Sequence, residues 1–223
     1  MRRKTSAYKI RELFRCGGAC RQAIKIKPSV TVVVAIPDTS RDAALAMAER
    51  LGLPNREGFI KNRYSGRTFI MPNQATREAA LRLKLNPIGE VFRGKRVILV
   101  DDSIVRGSTM RRIVDMVRTL GPTEVHLAIF SPPVAHPCFY GIDMPSREEL
   151  IASRYPVSEL ERRLAEVFEV SSVTYITADG LRDVAGAGMC TACFTGDYVV
   201  PVSEQERAFI LKNRGDGERR AAV

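Results

Sequence analysis

The stretch Arg96-Val97-Ile98-Leu99-Val100-Asp101-Asp102-Ser103-Ile104-Val105-Arg106-Gly107-Ser108-Thr109 decides how this chain is read. Its four consecutive apolar residues, three of them β-branched, show no alternation, which is the pattern of a strand covered on both faces of a parallel sheet. The strand delivers two adjacent acids, then a short loop with hydroxyls and Gly107, then the start of a helix. Backbone N–H groups and the positive end of the helix dipole make such a terminus a seat for a phosphate monoester, with Ser108 and Thr109 as further donors. Gly107 lets the backbone approach the phosphate closely. Asp101 and Asp102 can accept hydrogen bonds from the vicinal hydroxyls of a ribose and can lie beside a divalent cation. Two acids emerging together from an apolar strand fit that work better than capping of the helix that follows.

Outward from this segment, strand and helix alternate. Residues 30–36 form a β-branched run ending in Pro37-Asp38 and read as another buried strand. Residues 40–51 read as a helix stopped by Gly52. A short strand is expected at 58–60, followed by the polar stretch Lys61-Asn62-Arg63-Tyr64-Ser65-Gly66-Arg67 and a helix at 73–83. Beyond the central segment the pattern predicts a helix over 109–120, a strand over 124–130, helices over 147–153 and 157–168, a strand over 173–176 and a helix over 180–185. Such alternation means βαβ units, hence an α/β fold with a parallel sheet flanked by helices. Ligands of such sheets sit beyond the carboxyl ends of the strands. That rule nominates three polar loops, at 37–40, 61–67 and 101–109.

The 223 residues, 45% hydrophobic and 27% charged, have the composition of a globular domain and not of a disordered chain. The net charge of +10 is concentrated: residues 1–30 carry nine Lys or Arg against one acid, so eight of the ten excess charges lie there. Basicity belongs to the N-terminal arm and not to the body, and contact with nucleic acid is not expected of the fold itself. No apolar run approaches the ~20 residues of a membrane span, and the basic start has no apolar stretch behind it. A cytoplasmic protein is expected. Five cysteines are an odd count that argues against a disulfide framework. They stand at Cys16 and Cys20, at Cys138, and in Cys190-Thr191-Ala192-Cys193, where the C-x-x-C spacing points to metal or redox chemistry.

The central segment resembles the motif by which type I phosphoribosyltransferases bind 5-phosphoribosyl-1-pyrophosphate (PRPP). Further stretches resemble the amidophosphoribosyltransferase (glutamine PRPP amidotransferase) family in particular, in the family's order. They are Ala35-Ile36-Pro37-Asp38-Thr39-Ser40, the run from Glu57 to Pro72, Lys84-Leu85-Asn86-Pro87, Phe139-Tyr140-Gly141-Ile142-Asp143-Met144-Pro145-Ser146 and Cys190-Thr191-Ala192-Cys193-Phe194-Thr195-Gly196. The resemblance implies a type I phosphoribosyltransferase fold over 29–200, preceded by a basic arm at 1–28 and followed by a C-terminal helix and tail at 201–223. It implies a pentosyltransferase that moves ammonia nitrogen onto C1 of PRPP, giving 5-phosphoribosylamine and pyrophosphate in the first step of purine biosynthesis. Carried over by position, Asp38, Thr39, Ser40 and the run Asp101, Asp102, Ser103, Ile104, Val105, Arg106, Gly107, Ser108, Thr109 would bind PRPP. Thr39, Asp101 and Asp102 would belong to a Mg²⁺ site, and Lys61, Arg63, Tyr64 and Arg67 would close over the reacting atoms.

One branch of that family carries a structural [4Fe–4S] cluster, and Cys138, Cys190 and Cys193 match three of its four ligands. Cys16 and Cys20 stand off the fourth ligand's place, and an empty thiol pocket, zinc or buried inert thiols are the other readings. His126 and His136 match no catalytic position and are expected to be structural. The family places a glutaminase domain ahead of the transferase, where this sequence has a basic arm of about thirty residues. The nitrogen source is then free ammonia, a separate glutaminase subunit, or the missing half of a longer gene product. A homo-oligomer is also implied. The contrasting expectation, from a different functional class, is a PRPP-binding regulator without turnover whose basic arm touches nucleic acid.

Overall fold

The computed structural model describes residues 30–61, 85–142, 144–186 and 188–211. Five strands, all paired in parallel, make the central sheet: β1 (Thr31–Ala35), β2 (Asn55–Arg56), β5 (Arg96–Asp101), β6 (Glu124–Ile129) and β7 (Ser172–Tyr175), in the order β2-β1-β5-β6-β7. A separate antiparallel hairpin pairs β3 (Phe59–Lys61) with β4 (Leu85–Pro87), with Lys61 opposite Leu85.

The helices divide between the two faces of the sheet as the strand alternation requires. On one face Val33, Ile98, Val100 and Ala128 receive α1 (Arg41–Leu51), which packs through Ala43, Ala44, Ala46, Met47 and Ala48. Small side chains let this helix sit close to the strands. It ends at Gly52, whose φ of 66° turns the chain so that Leu53 N–H reaches Ala48 O at 2.9 Å, a left-handed C-terminal stop. On the other face Val32, Val34, Val97 and Leu99 meet α3 (Ser108–Arg118) and α4 (Val157–Phe168) through Met110, Ile113, Val114, Leu160, Leu164 and Phe168. Phe92 of the short α2 (Gly89–Phe92) and Phe59 of the hairpin complete this larger core, their rings 5.4 Å apart. Gly58 is the close approach between hairpin and sheet, since a Cβ there would lie 2.6 Å from Val34 Cγ1 and 2.7 Å from Phe92 Cζ. After β7 come α5 (Ala178–Ala185), α6 (Ala192–Thr195) and a helical stretch at 204–211. Among the described residues no helix is long and apolar enough to cross a membrane.

The expected parallel α/β architecture is present, and the buried strands fall within a residue or two of their expected limits. One element differs. The helix expected over 147–153 is two 3₁₀ turns, Arg147–Glu149 and Ile151–Arg154, separated by Leu150 in extended conformation. The Ile151 N–H donates to Val105 O at 2.9 Å instead of to a carbonyl of its own turn, and that tertiary bond breaks the helix. The helix expected over 73–83 lies outside the described residues.

Candidate active site

The chain leaves β1 toward one side of the sheet, to β2, and returns to β5 on the other side, so β1 and β5 are neighbours whose following segments diverge. A crevice opens at such a switch point, beyond the carboxyl ends of the two strands. Two of the three loops nominated from sequence, 37–40 and 101–109, leave the sheet there.

Within the first loop the Pro37–Asp38 peptide bond is cis. Thr39 is exposed, while Ser40 is fully buried and its hydroxyl donates to Asp101 Oδ1 at 3.1 Å. Ser40 therefore orients the acid at the end of the neighbouring strand. Asp38 faces the hairpin: Lys61 Nζ lies 2.5 Å from its Oδ2, and Arg41 lies 3.9 Å from its Oδ1 and 3.0 Å from Glu57 Oε1. Sequence reasoning missed Arg41 and Glu57, because only the fold brings residue 57 back to the start of α1. Of the residues expected to close over the site, Lys61 stands at its edge, and Arg63, Tyr64 and Arg67 lie outside the described residues.

In the second loop the acids do not cap the helix. Asp101 Oδ1 accepts the Asp102 N–H at 2.9 Å and Asp102 Oδ1 accepts the Ser103 N–H at 3.0 Å, so each carboxylate stiffens the turn that follows it. Burial, followed by the adjacent Asp102 charge, pushes the Asp101 carboxyl up to about 7, against the smaller opposing pull of the Asp102 N–H and the Ser40 hydroxyl. A side chain so short of positive charge is a ready partner for a cation. The N-cap of α3 is Gly107, at φ 80°, and no side chain caps the helix. Its leading N–H groups are thus left without a side-chain acceptor, with the hydroxyls of Ser108 and Thr109 exposed beside them. Ile104 is buried in the core at 2% exposure, so of this residue only the backbone can meet a ligand.

Two implied groups can be tested against these residues. The acid pair with Thr39 suits Mg²⁺, which is commonly held by one or two carboxylates and completed by substrate oxygens. Among the described residues no three or more His, Cys, Asp or Glu side chains form a group that could hold a metal ion by themselves, so the acid pair depends on such completion and zinc has no ready ligand set there. Cys138 and Cys193 are half-buried and Cys190 is exposed. Burial, then the nearby thiols of Cys138 and Cys190, raise the Cys193 thiol above its ordinary value. The Ala135 and His136 N–H groups fix the backbone at Cys193 by donating to its carbonyl oxygen at 3.1 and 3.0 Å. Thiols are the donors an iron–sulfur cluster uses, but among the described residues these three do not form a group placed to hold a metal ion. Cys16 and Cys20 lie outside the described residues. Both histidines are packed: His126 bonds to Ser172 Oγ at 2.9 Å and Glu124 Oε2 at 3.1 Å, and His136 lies against Gly196.

An open α/β sheet with an acid pair and an uncapped helix terminus at its switch point is an arrangement that suits a phosphate-bearing ligand. The chain belongs to the phosphoribosyl transferase domain family, which matches residues 8–138. Within that class it is similar to amidophosphoribosyltransferases. It is 50% identical over 174 residues to the one from Bacillus subtilis (strain 168), covering 75% of this chain and 36% of the relative. Against the amidophosphoribosyltransferase of Archaeoglobus fulgidus it is 51% identical over 179 residues, 78% of this chain and 38% of that protein. A solved structure described as glutamine PRPP amidotransferase from B. subtilis complexed with ADP and GMP matches with a TM-score of 0.71 at 42% identity, over 89% of this chain and 42% of that one. The chain thus spans less than half the length of these relatives.

Proposed function

We propose that this chain carries out the phosphoribosyl transfer of an amidophosphoribosyltransferase. Nitrogen from ammonia joins C1 of PRPP, and 5-phosphoribosylamine and pyrophosphate leave, the first step of purine biosynthesis. The observation that carries this reading is the meeting, at the β1–β5 switch point, of the half-buried acid pair with the uncapped N-terminus of α3. The 5-phosphate sits on the backbone N–H groups of 103–109 with the hydroxyls of Ser108 and Thr109. Asp101 and Asp102 accept the ribose hydroxyls, and the backbone of 37–40 receives the pyrophosphate. Asp101, Asp102 and Thr39 would hold Mg²⁺, which neutralises charge on the pyrophosphate oxygens when bound.

As the new C1–N bond forms, the C1–O bond breaks, its electron pair leaves with pyrophosphate, and the nitrogen gives up a proton. Negative charge grows at the leaving oxygen, where Lys61 already stands beside the 37–40 loop. Arg63, Tyr64 and Arg67 are assigned to the same closing segment, which keeps water from competing with ammonia. Given Mg²⁺, PRPP and ammonium at alkaline pH, the purified chain should release pyrophosphate. With glutamine as the only nitrogen donor it should not, because no residue of this chain is assigned to amide hydrolysis. Glutamine-driven release would overturn the nitrogen source. PRPP binding without release under either condition would favour a regulator over an enzyme.

Cys138, Cys190 and Cys193 are proposed as three thiolate ligands of a structural [4Fe–4S] cluster, a reading supported by the C-x-x-C spacing of Cys190 and Cys193 and by the nearness of Cys138 and Cys190 to the Cys193 thiol. Protein prepared without oxygen should contain iron and sulfide, and Cys190→Ser should lower its thermal midpoint, since metal-binding energy is shared with folding. Iron-free protein whose stability ignores that substitution would remove the cluster and leave the transfer chemistry untouched.

A further inference from the structure

We propose that Glu149 is a positioning residue for the phosphate loop, acting through Arg106; this rests on the phosphate seat argued above. Three consecutive loop residues are held by one distant segment. Arg106 Nε and Nη2 donate to Glu149 Oε1 and Oε2 at 3.2 and 3.4 Å, a two-pronged contact. The Val105 carbonyl accepts the Ile151 N–H at 2.9 Å, and Gly107 sits so close to Ile151 that a Cβ would lie 2.7 Å from its Cδ1. Glu149 is fixed in turn by its own 3₁₀ turn: its Oε2 accepts the Ser146 N–H at 3.2 Å and its N–H donates to Ser146 O at 3.1 Å.

The strap therefore reaches the loop at its backbone, its guanidinium and its glycine, directly before the leading N–H groups of α3. A planar guanidinium gripped at two nitrogens fixes orientation as well as distance, which is what a backbone phosphate seat requires of the residue beside it. The Arg106 and Glu149 side chains are half-exposed, 45% and 48%, and exposed ion pairs add little to folding stability. Loss of Glu149 should then appear in ligand binding and not in unfolding, and only for the ligand that uses this loop.

Calorimetric titration of the wild-type chain and of Glu149→Gln with two probes separates the possibilities: ribose 5-phosphate for this loop, and pyrophosphate with Mg²⁺ for the 37–40 loop. The expected result is a roughly fivefold weaker affinity for ribose 5-phosphate, with pyrophosphate affinity and thermal midpoint unchanged. Adding Arg106→Gln to Glu149→Gln should cost nothing more than Arg106→Gln by itself, the non-additivity of residues acting in series. Unchanged ribose 5-phosphate affinity in Glu149→Gln overturns the strap while leaving the phosphate seat in place. Equal weakening of both probes with a lowered midpoint also overturns it, by showing a general structural role. A wild-type chain that binds pyrophosphate but no ribose 5-phosphate overturns the seat itself, and the strap with it.

Discussion

Asp101→Asn should cut pyrophosphate release from PRPP at least ~100-fold, the scale of removing one strong electrostatic contact from a water-poor site. The substitution keeps the fold's own hydrogen bonds, because an amide oxygen can still accept from Ser40 Oγ and from the Asp102 N–H. What it removes is the charge offered to ribose hydroxyls and cation. Stability should move the other way. With its carboxyl pushed up to about 7 from the ordinary 3.8, Asp101 favours the folded state fully below the ordinary value. It loses that advantage as pH rises through about 7, where ionisation in the buried site becomes costly. Asn carries no such cost, so the ligand-free variant should gain thermal midpoint over wild type as pH is raised from about 5 to about 8. A variant with near-normal turnover, or one whose midpoint advantage shrinks over that range, would sink the assignment.

Gly107→Ala should damage both folding and binding. At φ 80° an alanine is strained, and its Cβ would lie 2.7 Å from Ile151 Cδ1 and 3.2 Å from Phe168 Cζ. Left-handed strain and overpacking together suggest a loss of roughly 2–4 kcal/mol. Relief of the clash requires the loop to move away from Ile151, which turns the leading N–H groups of α3 off their target, and ribose 5-phosphate affinity should fall at least ~10-fold. Gly52→Ala is the matched control. Gly52 also has positive φ, 66°, but a Cβ there meets nothing within 4 Å, so it bears the strain without the clash. Denaturant unfolding and calorimetry on both variants decide it. If Gly107→Ala were as mild as Gly52→Ala in both measurements, the close packing beneath the loop would have no functional weight.

Much of this architecture is legible before any coordinates, for a local reason. Residues 96–101 and 157–168 carry their signal within a dozen positions, as a β-branched run and as an apolar stripe at helical spacing, and the structure places β5 and α4 over those same residues. The acid pair and the glycine before α3 are equally local. What is not local was not readable. β2 and β4 are two and three residues long, strands that exist because a partner is waiting and not because of their own sequence. Residues 147–153 have helical composition, yet one N–H spent on Val105 divides them. The Ser40–Asp101 bond joins residues 61 positions apart and the Arg106–Glu149 contact joins residues 43 apart. No spacing rule reaches that far.

The hairpin has a consequence for how this molecule can change over evolutionary time. Because Lys61 pairs with Leu85, positions 61 and 85 are held side by side whatever number of residues joins them. Three of the four residues assigned to close over the substrate, Arg63, Tyr64 and Arg67, fall between those positions in the sequence. The registers of the five-stranded sheet are all set by other pairings, so none of them depends on the length of sequence between those two positions. Sequence change between positions 61 and 85 and retention of the phosphate seat at 101–109 are thus carried by different pairings of one chain, and selection can revise the first without moving the strands that hold the second.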